Sequence, residues 1–575
     1  MRRLVRHRPQ ASAAIIRKSV GDLLRLAAHV AILCLAIPGR IALAEPVQTE
    51  GGLVEGVQQS DIRVFKGIPF AAPPLGQLRW RAPQAAPAWA GVQQADRFAP
   101  ICMQHGSYPE DAPAEPMSED CLYLNIWAPQ DAKARKLPVM VWIYGGGLLN
   151  GSASTPLYAG DMLVRKGVIV VTLNYRLGVL GFLAHPDLSR ESPQHVSGNY
   201  GLLDQLAALG WIHRNIAAFG GDPERVTVFG QSSGSISISE LVTSPLARGL
   251  FQRAIGESGG LFEPVDLADD FKLAGAEQTG EDFVARSGAG TLVALRAMPA
   301  ADVLKTHFFP HAVIDGNVLP LAPYDAYRQG RQNDVDILVG FNAQEGRYFV
   351  PDDRKITTTN LRQELSRDFP SFLVAMIAPR TAKNDDQALT AYIAFEGEMR
   401  FDWDMWTWSR LQAAAGKRNA FLYVFSRTSP YRPGDKYFGW GPSHGLEMPY
   451  VFDHLDQQAL PWALQDRQLA STMSTYWTNF AKSGDPNGPG LPLWPKYTSV
   501  TTQAMLLADR IAPGLVPGEA DLERIDRAYR ATRFVAGHAA ALVVLIALAV
   551  VTLVASAVVY WRRRRATRLA TTERN

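Results

Sequence analysis

Residues 226–234 read VTVFGQSSG, a run of strand-forming residues that ends in a Gly-x-Ser-x-Gly turn. β-Branched and aromatic residues favour a strand, and the segment after the turn is compatible with a helix. A sharp strand-to-helix turn lifts a serine hydroxyl above the edge of a sheet, where flanking glycines relieve steric crowding. The pattern therefore predicts that Ser232 is a nucleophile; the alternative is a serine in an ordinary tight turn.

The segments on either side of this turn alternate between strand-like and helical patterns. Strand candidates lie at residues 139–143, 168–173, 336–340 and 421–425, and apolar residues recur at helical spacing over 203–218. We find no internal repeat. Although a chain of 575 residues can hold several domains, this alternation favours one α/β domain with a mostly parallel central sheet flanked by helices.

A glycine-rich stretch, YGGG at residues 144–147, directly follows one of the strand candidates. Consecutive glycines let backbone N–H groups face a cavity without interference from side chains. We predict that Gly146 and Gly147, together with the N–H of Ser233, bind the oxyanion of a tetrahedral intermediate. A phosphate-binding loop is the alternative, but no Gly-Lys-Ser/Thr follows the glycines.

The first 44 residues have the pattern of an export signal. Basic residues are frequent over residues 2–25, an apolar run covers residues 26–37, and Ala42-Leu43-Ala44 supplies the small residues that a signal peptidase reads. We predict a signal peptide at residues 1–44. An uncleaved membrane anchor is the alternative, but the apolar run is short for a membrane span.

The C-terminal part of the chain has the pattern of a membrane anchor. Residues 534–561 contain no Asp, Glu, Lys or Arg, and four arginines follow at once. A helix of this length spans the hydrocarbon core, and a cluster of arginines stays on the cytoplasmic side. We predict a polar stalk at 511–533, a transmembrane helix at 534–561 and a basic cytoplasmic tail at 562–575. The chain is then a single-pass membrane protein whose body, residues 45–510, lies in the periplasm or outside the cell.

Charge and cysteine content constrain the function of the exported body. Residues 1–44 hold eight basic residues and one acid, and residues 562–575 hold six and one, so the formal charge of +3 becomes −9 for the rest. A mildly acidic body gives no reason to expect nucleic-acid binding. Cys102 and Cys121 are an even pair in an exported segment and predict one disulfide. No His or Cys cluster has the spacing of metal ligands, so we predict no metal site.

Further motifs follow one another along the chain in an order typical of one family. They are FKGIPFA at 65–71, PPLG at 73–76, LRW at 78–80, SEDCLYLN at 118–125, GNYGLLDQ at 198–205 and FGGDP at 219–223. With these motifs the chain resembles the type-B carboxylesterases, which include cholinesterases and bacterial esterases, over roughly residues 46–510. The resemblance implies an α/β-hydrolase fold.

The resemblance also implies the other catalytic residues. The acid of the family lies in a segment like GFNAQEG at 340–346, which gives Glu345, and the base lies in a segment like SHGLE at 443–447, which gives His444. The order Ser, Glu, His agrees with α/β-hydrolases in general. His213, His311 and His105 have no comparable setting. The resemblance further implies a Cys102–Cys121 disulfide, an ion pair between Arg79 and Glu119, and a supporting hydroxyl from Ser258.

The implied reaction is two-step acyl transfer to Ser232 and then to water, on a small-molecule ester and without a cofactor. The sequence departs from the family at Gln231 and Ser233, where Glu and Ala are common. Loss of the Glu argues against cationic substrates, and the loop between the two cysteines lacks the Trp of cholinesterases. The few disulfides and the Ala- and Arg-rich ends favour a bacterial esterase. The alternative is a non-catalytic adhesion or binding protein, which some anchored members of the family are.

Overall fold

The computed structural model describes residues 42–105, 115–350, 354–378 and 382–572. Most of the predicted signal peptide, and the last three residues of the predicted cytoplasmic tail, lie outside these ranges. Ala42 and Leu43 form a short strand at the edge of the sheet, paired with Gln58 and Val57. Cleavage after Ala44 would remove this strand from the sheet.

The described residues contain seventeen strands. They are β1 (Ala42–Leu43), β2 (Val47–Gln48), β3 (Leu53–Glu55), β4 (Val57–Gln59), β5 (Ile62–Pro69), β6 (Val92–Gln94), β7 (Ile101–Cys102), β8 (Met117–Ser118), β9 (Tyr123–Pro129), β10 (Leu137–Ile143), β11 (Ile169–Leu173), β12 (Gly221–Gln231), β13 (Arg253–Glu257), β14 (Asp336–Asn342), β15 (Ala420–Phe425), β16 (Ala504–Leu507) and β17 (Ala512–Gly514).

The α-helices alternate with these strands through the middle of the chain. They are α1 (Asp161–Val164), α2 (Gly178–Phe182), α3 (Pro186–Glu191), α4 (Tyr200–Asn215), α5 (Ser233–Thr243), α6 (Leu273–Arg286), α7 (Leu292–Ala297), α8 (Ala300–Val303), α9 (Pro323–Arg328), α10 (Leu361–Asp368), α11 (Ser371–Ile377), α12 (Asp385–Gly397), α13 (Trp403–Ala415), α14 (Met448–Val451), α15 (Leu464–Ser483), α16 (Glu519–Gly537) and α17 (Ala539–Thr572). One turn of π-helix, Glu398–Asp402, joins α12 to α13.

One twelve-stranded sheet organises the molecule, in the order β1-β4-β5-β9-β11-β10-β12-β13-β14-β15-β16-β17. The strands from β11 to β16 in this order are parallel to their neighbours, and the strands beyond them at both edges are antiparallel. Every residue of β10, β11, β14 and β15 is buried, as expected when helices cover both faces of a parallel sheet. The five predicted strands and the predicted helix are confirmed.

The carboxyl ends of the parallel strands place the functional loops side by side. The chain leaves β10 into the glycine-rich loop, leaves β12 into the serine turn, and leaves β14 into the segment that holds Glu345. Because parallel strands all end at the same edge of a sheet, three sequence-distant loops meet there. This edge is where the candidate site lies.

The segment predicted as a polar stalk is packed against the body. Strand β17 pairs with β16 in the main sheet, and helix α16 buries one face that includes Leu522, Ile525 and Tyr529. Tyr529 packs edge-on against Trp403 of α13, with ring centroids 4.7 Å apart. The apolar residues of this face recur at helical spacing between charged positions, and burial of such a stripe stabilises the docked helix. Residues 512–537 are therefore part of the folded body rather than a stalk that stands clear of it.

Helix α17 follows α16 directly and holds the predicted membrane segment. Residues Ala539–Arg562 are long and apolar enough to cross a membrane, and none of this stretch is buried in the protein. An exposed apolar helix of this length has the dimensions of a membrane-spanning segment.

Two local features implied by the family resemblance are present near the candidate site. A disulfide joins Cys102 to Cys121, with the Cα atoms 5.0 Å apart. The Arg79 guanidinium donates two hydrogen bonds to the Glu119 carboxylate, at 2.7 and 2.5 Å. The same guanidinium donates to three backbone carbonyls, including that of Met298 at 2.6 Å. This ion pair is mostly buried, so it fixes Glu119, two residues before Cys121, to the body.

Candidate active site

Ser232 lies at the turn from β12 into α5 and adopts a strained backbone conformation. Its φ is 56° and its ψ is −128°, a region that non-glycine residues rarely adopt. The backbone N–H of Ser232 donates to the carbonyl of Glu257 at 2.8 Å, which holds the turn in place. A Cβ at Gly230 or Gly234 would come within 2.5 or 2.0 Å of the Ile143 carbonyl oxygen. The two glycines of the motif are therefore required by the close approach of β10.

The glycine-rich loop after β10 passes beside this turn. A Cβ on Gly145 would lie 2.9 Å from the Ser232 Cβ, so the loop and the serine are in contact. Gly146 has a φ of +108°, and a side chain there would collide with the backbone oxygen of Asn150 at 2.2 Å. Gly147 has a φ of +64°, and nothing lies within 4 Å of the position of its missing Cβ. The loop therefore presents bare backbone to open space next to Ser232.

A hydrogen bond ties this loop to the start of helix α5. The N–H of Leu148 donates to the Ser233 hydroxyl at 3.1 Å, and Ser233 is the first residue of the helix. The first N–H groups of a helix have no partner within the helix and carry partial positive charge. The loop that holds Gly146 and Gly147 is thus bonded to the first residue of the helix that follows Ser232.

Glu345 lies just after β14 and is almost completely buried, with 1% of its surface exposed. Its Oε1 accepts the Ser258 hydroxyl at 2.5 Å and the backbone N–H of Asn342 at 2.6 Å. Ser258 itself has a φ of 53°, at the end of β13. These donors hold the carboxylate in one orientation and compensate for its removal from water.

His444 lies on the loop between β15 and α14, next to Glu345. Its Nδ1 is 2.7 Å from the other carboxylate oxygen, Oε2. An ionised carboxylate only accepts hydrogen bonds, so Nδ1 carries the proton and the neutral ring keeps its lone pair on Nε2. The side chain is 7% exposed. The pair has the geometry of an acid that orients a general base.

The ring of Phe401 stacks on the imidazole, with centroids 4.3 Å apart and an interplanar angle of 13°. Phe401 belongs to the π-helical turn before α13. Phe349 and Tyr348 also approach the imidazole, with centroids 5.5 and 5.7 Å from it. Three aromatic rings therefore pack around His444, one of them flat against a face of the imidazole.

The Nε2 of His444 faces the side-chain amide of Gln231, whose Nε2 lies 3.2 Å away. Within the described part of the chain, no hydrogen bond joins this nitrogen to the hydroxyl of Ser232, which is half-buried. Hydrogen bonds of this kind are often long before substrate binds. The resting arrangement thus places the serine and the base at one site, with Gln231 on the lone pair of the base.

The structure places the residues that the sequence singled out for chemistry on either side of Gln231, which precedes Ser232 in the chain and contacts His444. Ser232 and Ser233 meet the glycine loop, and Glu345 contacts both Ser258 and His444. The other histidines considered lie apart from this group: His213 and His105 are exposed, and His311 stacks on Phe271 at 4.4 Å. Their positions give them no contact with the imidazole.

Two contacts were not foreseen. Phe401 carries no local motif, because its contact with His444 arises only from long-range packing of the π-helical turn. Asn342 stands inside the acid segment that was identified, yet its double role was not evident. Besides its backbone bond to Glu345, its side-chain amide donates to the Glu447 carboxylate and, at 2.8 Å, to the Ser443 carbonyl. It links the acid segment to the base segment.

Several carboxyl groups are buried behind the site. Burial raises the pKa of Glu257 and of Asp402 well above the usual range, and burial followed by the nearby charge of Glu345 raises the pKa of Glu447. Glu257 accepts the Trp477 indole N–H at 2.7 Å. At neutral pH these groups carry less negative charge than their number suggests.

Glu240 of helix α5 gives a testable pH effect. It is buried, and burial raises its pKa to about 8. In the unfolded chain the group ionises near its ordinary pKa of 4.5, so between about pH 5 and about pH 8 only the unfolded state loses the proton and stability falls as pH rises. We expect Glu240→Gln to remove this loss, which amounts to about 1.4 kcal/mol per pH unit over that window. Urea unfolding across the window measures the difference.

The exposed Glu224 provides the control for this measurement. Glu224→Gln removes the same charge at the surface and should leave the slope of stability against pH unchanged. If Glu240→Gln increased the free energy of unfolding by the same amount at every pH, that result would contradict a raised pKa for Glu240.

The functional groups at this site belong to side chains and backbone amides of the protein itself. The described residues hold no group of three or more His, Cys, Asp or Glu that could bind a metal ion. The groups that converge are a hydroxyl, an imidazole, a carboxylate and backbone amides, which together suit nucleophilic acyl transfer.

Comparison with known proteins gives consistent matches. A model of the carboxylesterase family matches residues 44–513. The fumonisin B1 esterase of Sphingopyxis macrogoltabida is 40% identical over 461 residues, which cover 78% of this chain and 84% of that protein. The para-nitrobenzyl esterase of Bacillus subtilis (strain 168) is 35% identical over 492 residues, which cover 81% and 95%. A solved PNB esterase structure aligns with a TM-score of 0.73 and 32% identity, covering 84% of this chain and 99% of that one.

Proposed function

Since the chain belongs to the carboxylesterase family, has the α/β-hydrolase fold and is a carboxylic ester hydrolase, we propose that it works through Ser232, Glu345 and His444. The observation that carries the proposal is the 2.7 Å contact between Glu345 and His444, beside a serine held in a strained turn. A serine is a weak nucleophile by itself and requires such a base. An adhesion protein would have no need for this set of groups, so we favour catalysis over binding alone.

In the proposed mechanism, the Ser232 hydroxyl attacks the carbonyl carbon of the ester. His444 accepts the hydroxyl proton on Nε2 and passes it to the oxygen of the leaving alcohol. Glu345 remains ionised, holds the imidazole in the required tautomer and stabilises its cation. Water then attacks the acyl-enzyme by the same route, and the carboxylic acid leaves.

Gly146, Gly147 and Ser233 are proposed to stabilise the tetrahedral intermediates. Their backbone N–H groups would donate to the oxyanion, which is a larger effect in a site that excludes water. The contact between Gly145 and the Ser232 Cβ supports this assignment, as does the open space at Gly147. The N-terminus of α5 adds a favourable dipole.

We also propose that the enzyme is exported and tethered to a membrane. The signal pattern at residues 1–44 and the apolar helix within 534–561, followed by arginines, support this topology. The body would lie outside the cytoplasm and residues 562–575 inside. Protease added to intact spheroplasts is expected to digest the body; protection of the body would contradict the orientation.

The decisive experiment for the function combines turnover with covalent labelling. The full chain in detergent is assayed with p-nitrophenyl esters of increasing acyl length and treated with an organophosphonate. We expect hydrolysis, one phosphonyl group per chain, and its location on the peptide that contains Ser232. A folded protein that neither turns over any ester nor takes up the label would refute the proposal, and a label on another residue would refute the assignment of Ser232.

Ser258 offers a graded test of the acid. Its hydroxyl is one of the donors that orient Glu345, and a hydrogen bond to a charged group contributes about 1.5–3 kcal/mol. We expect Ser258→Ala to lower kcat/KM by about 10- to 100-fold, with KM nearly unchanged. Ser237→Ala, a buried change on α5 at a hydroxyl bonded to Gln205, is the matched control and should retain activity. Equal losses in both variants would indicate a general packing defect.

A further inference from the structure

The side chain of Gln231 occupies the gap between the two loops of the active site. It is the last residue of β12 and is buried. Its Oε1 lies 3.1 Å from the position that a Cβ on Gly145 would take, and its Nε2 lies 3.7 Å from the same position on Gly445. Both the loop that holds Gly145 and the loop that holds His444 and Gly445 have a glycine where the amide fits. The amide therefore fills a space that the two loops leave open for it.

The contact with His444 has a defined polarity. Since Nδ1 of the imidazole donates to Glu345, the other nitrogen is an acceptor in the neutral ring. The Gln231 amide N–H must then be the donor across the 3.2 Å contact. It occupies the lone pair that later accepts the serine proton, so it holds the base in the resting enzyme and has to share or release it when Ser232 attacks.

Gln231 brings polarity to this position without charge. The ionisable groups around the imidazole include Glu345, which contacts it, and three buried groups that interact with the charge of Glu345: Glu447, Asp402 and the Tyr423 phenol. Burial raises the pKa of Asp402 and of the Tyr423 phenol well above their usual ranges, so both stay protonated at neutral pH. Burial, followed by the charge of Glu345, raises the pKa of Glu447 to about 7, so Glu447 is only partly ionised there. Glu345 is the carboxylate that contacts His444, and it is matched by the imidazolium when that forms. These groups therefore carry less negative charge at neutral pH than their number suggests.

We propose, on the basis of the proposed function, that this enzyme hydrolyses neutral and anionic esters at least as well as cationic ones, and that the uncharged Gln231 beside His444 is the residue responsible. An uncharged amide at the base neither attracts a cationic substrate nor repels a carboxylate or sulfonate. A carboxylate in the same place would do both, and it would also stabilise the imidazolium.

The test uses three butanoate esters of similar shape and different charge, with acid release as the readout. The alcohols are choline, its neutral analogue 3,3-dimethylbutanol, and isethionate, which carries a sulfonate. For the wild-type full chain we expect kcat/KM for the isethionate ester within about threefold of the neutral ester, and no preference for the choline ester. A preference of about tenfold or more for choline over the neutral ester would overturn the proposal without any variant.

Gln231→Glu introduces the charge at nearly the same volume. We expect the ratio of choline to isethionate kcat/KM to rise by about tenfold or more. The acid limb of the pH–rate profile should move to higher pH, because an adjacent anion raises the pKa of the imidazole and the base is lost to protonation sooner. Gln329→Glu, at an exposed position, adds the same net charge away from the site and should change neither quantity.

The outcomes separate the two proposals. If the wild type hydrolyses none of the three esters and no p-nitrophenyl ester, the proposed function fails. If it hydrolyses the neutral ester but Gln231→Glu shifts neither the charge ratio nor the acid limb, the role of Gln231 fails alone. Should Gln231→Glu not fold, the wild-type ratios still decide the substrate class.

Discussion

Replacing Ser232 with alanine, His444 with glutamine, or both at once is expected to lower kcat for ester hydrolysis by a similar factor, on the order of 10⁴ to 10⁶. The reason is that the two residues perform one step together in the proposed mechanism: without the imidazole the hydroxyl is not activated, and without the hydroxyl the imidazole has no proton to accept. Activity should fall to the level that the backbone donors alone sustain. Assays with a p-nitrophenyl ester, incubated long enough for product to accumulate, measure the residual rate.

The double variant distinguishes this scheme from independent contributions. If the losses of the single variants multiplied in the double variant, Ser232 and His444 would act separately and the proposed triad would be wrong. Thermal unfolding of each variant provides the control for folding. Glu345→Gln should lose less than the base variant, because the other donors to position 345 still fix the side chain.

Removal of helix α16 is expected to cost the protein its fold, whereas removal of α17 alone is not. A chain of residues 45–537 should be soluble and active, and a chain of residues 45–517 should aggregate or unfold. Leu522, Ile525 and Tyr529 bury nearly all their side-chain surface, which at about 1.5–3 kcal/mol each amounts to roughly 5–9 kcal/mol. That is comparable with the whole stability of a typical domain.

Further contacts at the end of α16 support the same expectation. The Arg533 guanidinium donates to the Phe262 carbonyl at 2.6 Å and stacks on the Tyr324 ring at 3.6 Å. Circular dichroism and ester turnover of the two fragments provide the measurement, with Tyr529→Ala as an intermediate case that should lower the unfolding midpoint. Full activity in the shorter fragment would show that α16 is dispensable.

The fold was predictable from the sequence because its signals are local and strong. Buried parallel strands read as continuous apolar runs, and the Gly-x-Ser-x-Gly turn specifies both a backbone shape and a chemistry. Glu345 and His444 were identified through motifs of a family rather than through spacing, since residues 345 and 444 meet only after two strands of the sheet pair. The sequence on either side of each residue does not indicate which partner the residue will contact.

Other features could not be predicted from the local sequence. Phe401 reaches His444 across the fold, so no window of sequence contains the contact. The segment 511–533 is interpreted as a polar stalk because charged residues recur along it, yet Leu522, Ile525 and Tyr529 lie on one buried face, and Tyr529 packs against Trp403. An amphipathic helix next to a membrane segment has the same composition whether it packs on the body of the protein or stands free. Whether it packs depends on a complementary apolar surface on the body, which the sequence of the helix does not contain.

The π-helical turn at Glu398–Asp402 has a consequence for how the base is charged during turnover. One extra residue in the turn sets the register that presents Phe401 flat against His444. In the proposed mechanism the imidazole accepts the Ser232 proton, and the Phe401 ring then becomes a cation–π partner that stabilises the imidazolium by about 1 kcal/mol. Deleting one residue would restore regular helical winding and rotate Phe401 by about 100° relative to α13. The imidazolium of His444 would then lose the stabilisation that the Phe401 ring provides, whereas the neutral imidazole of the resting enzyme would be little affected.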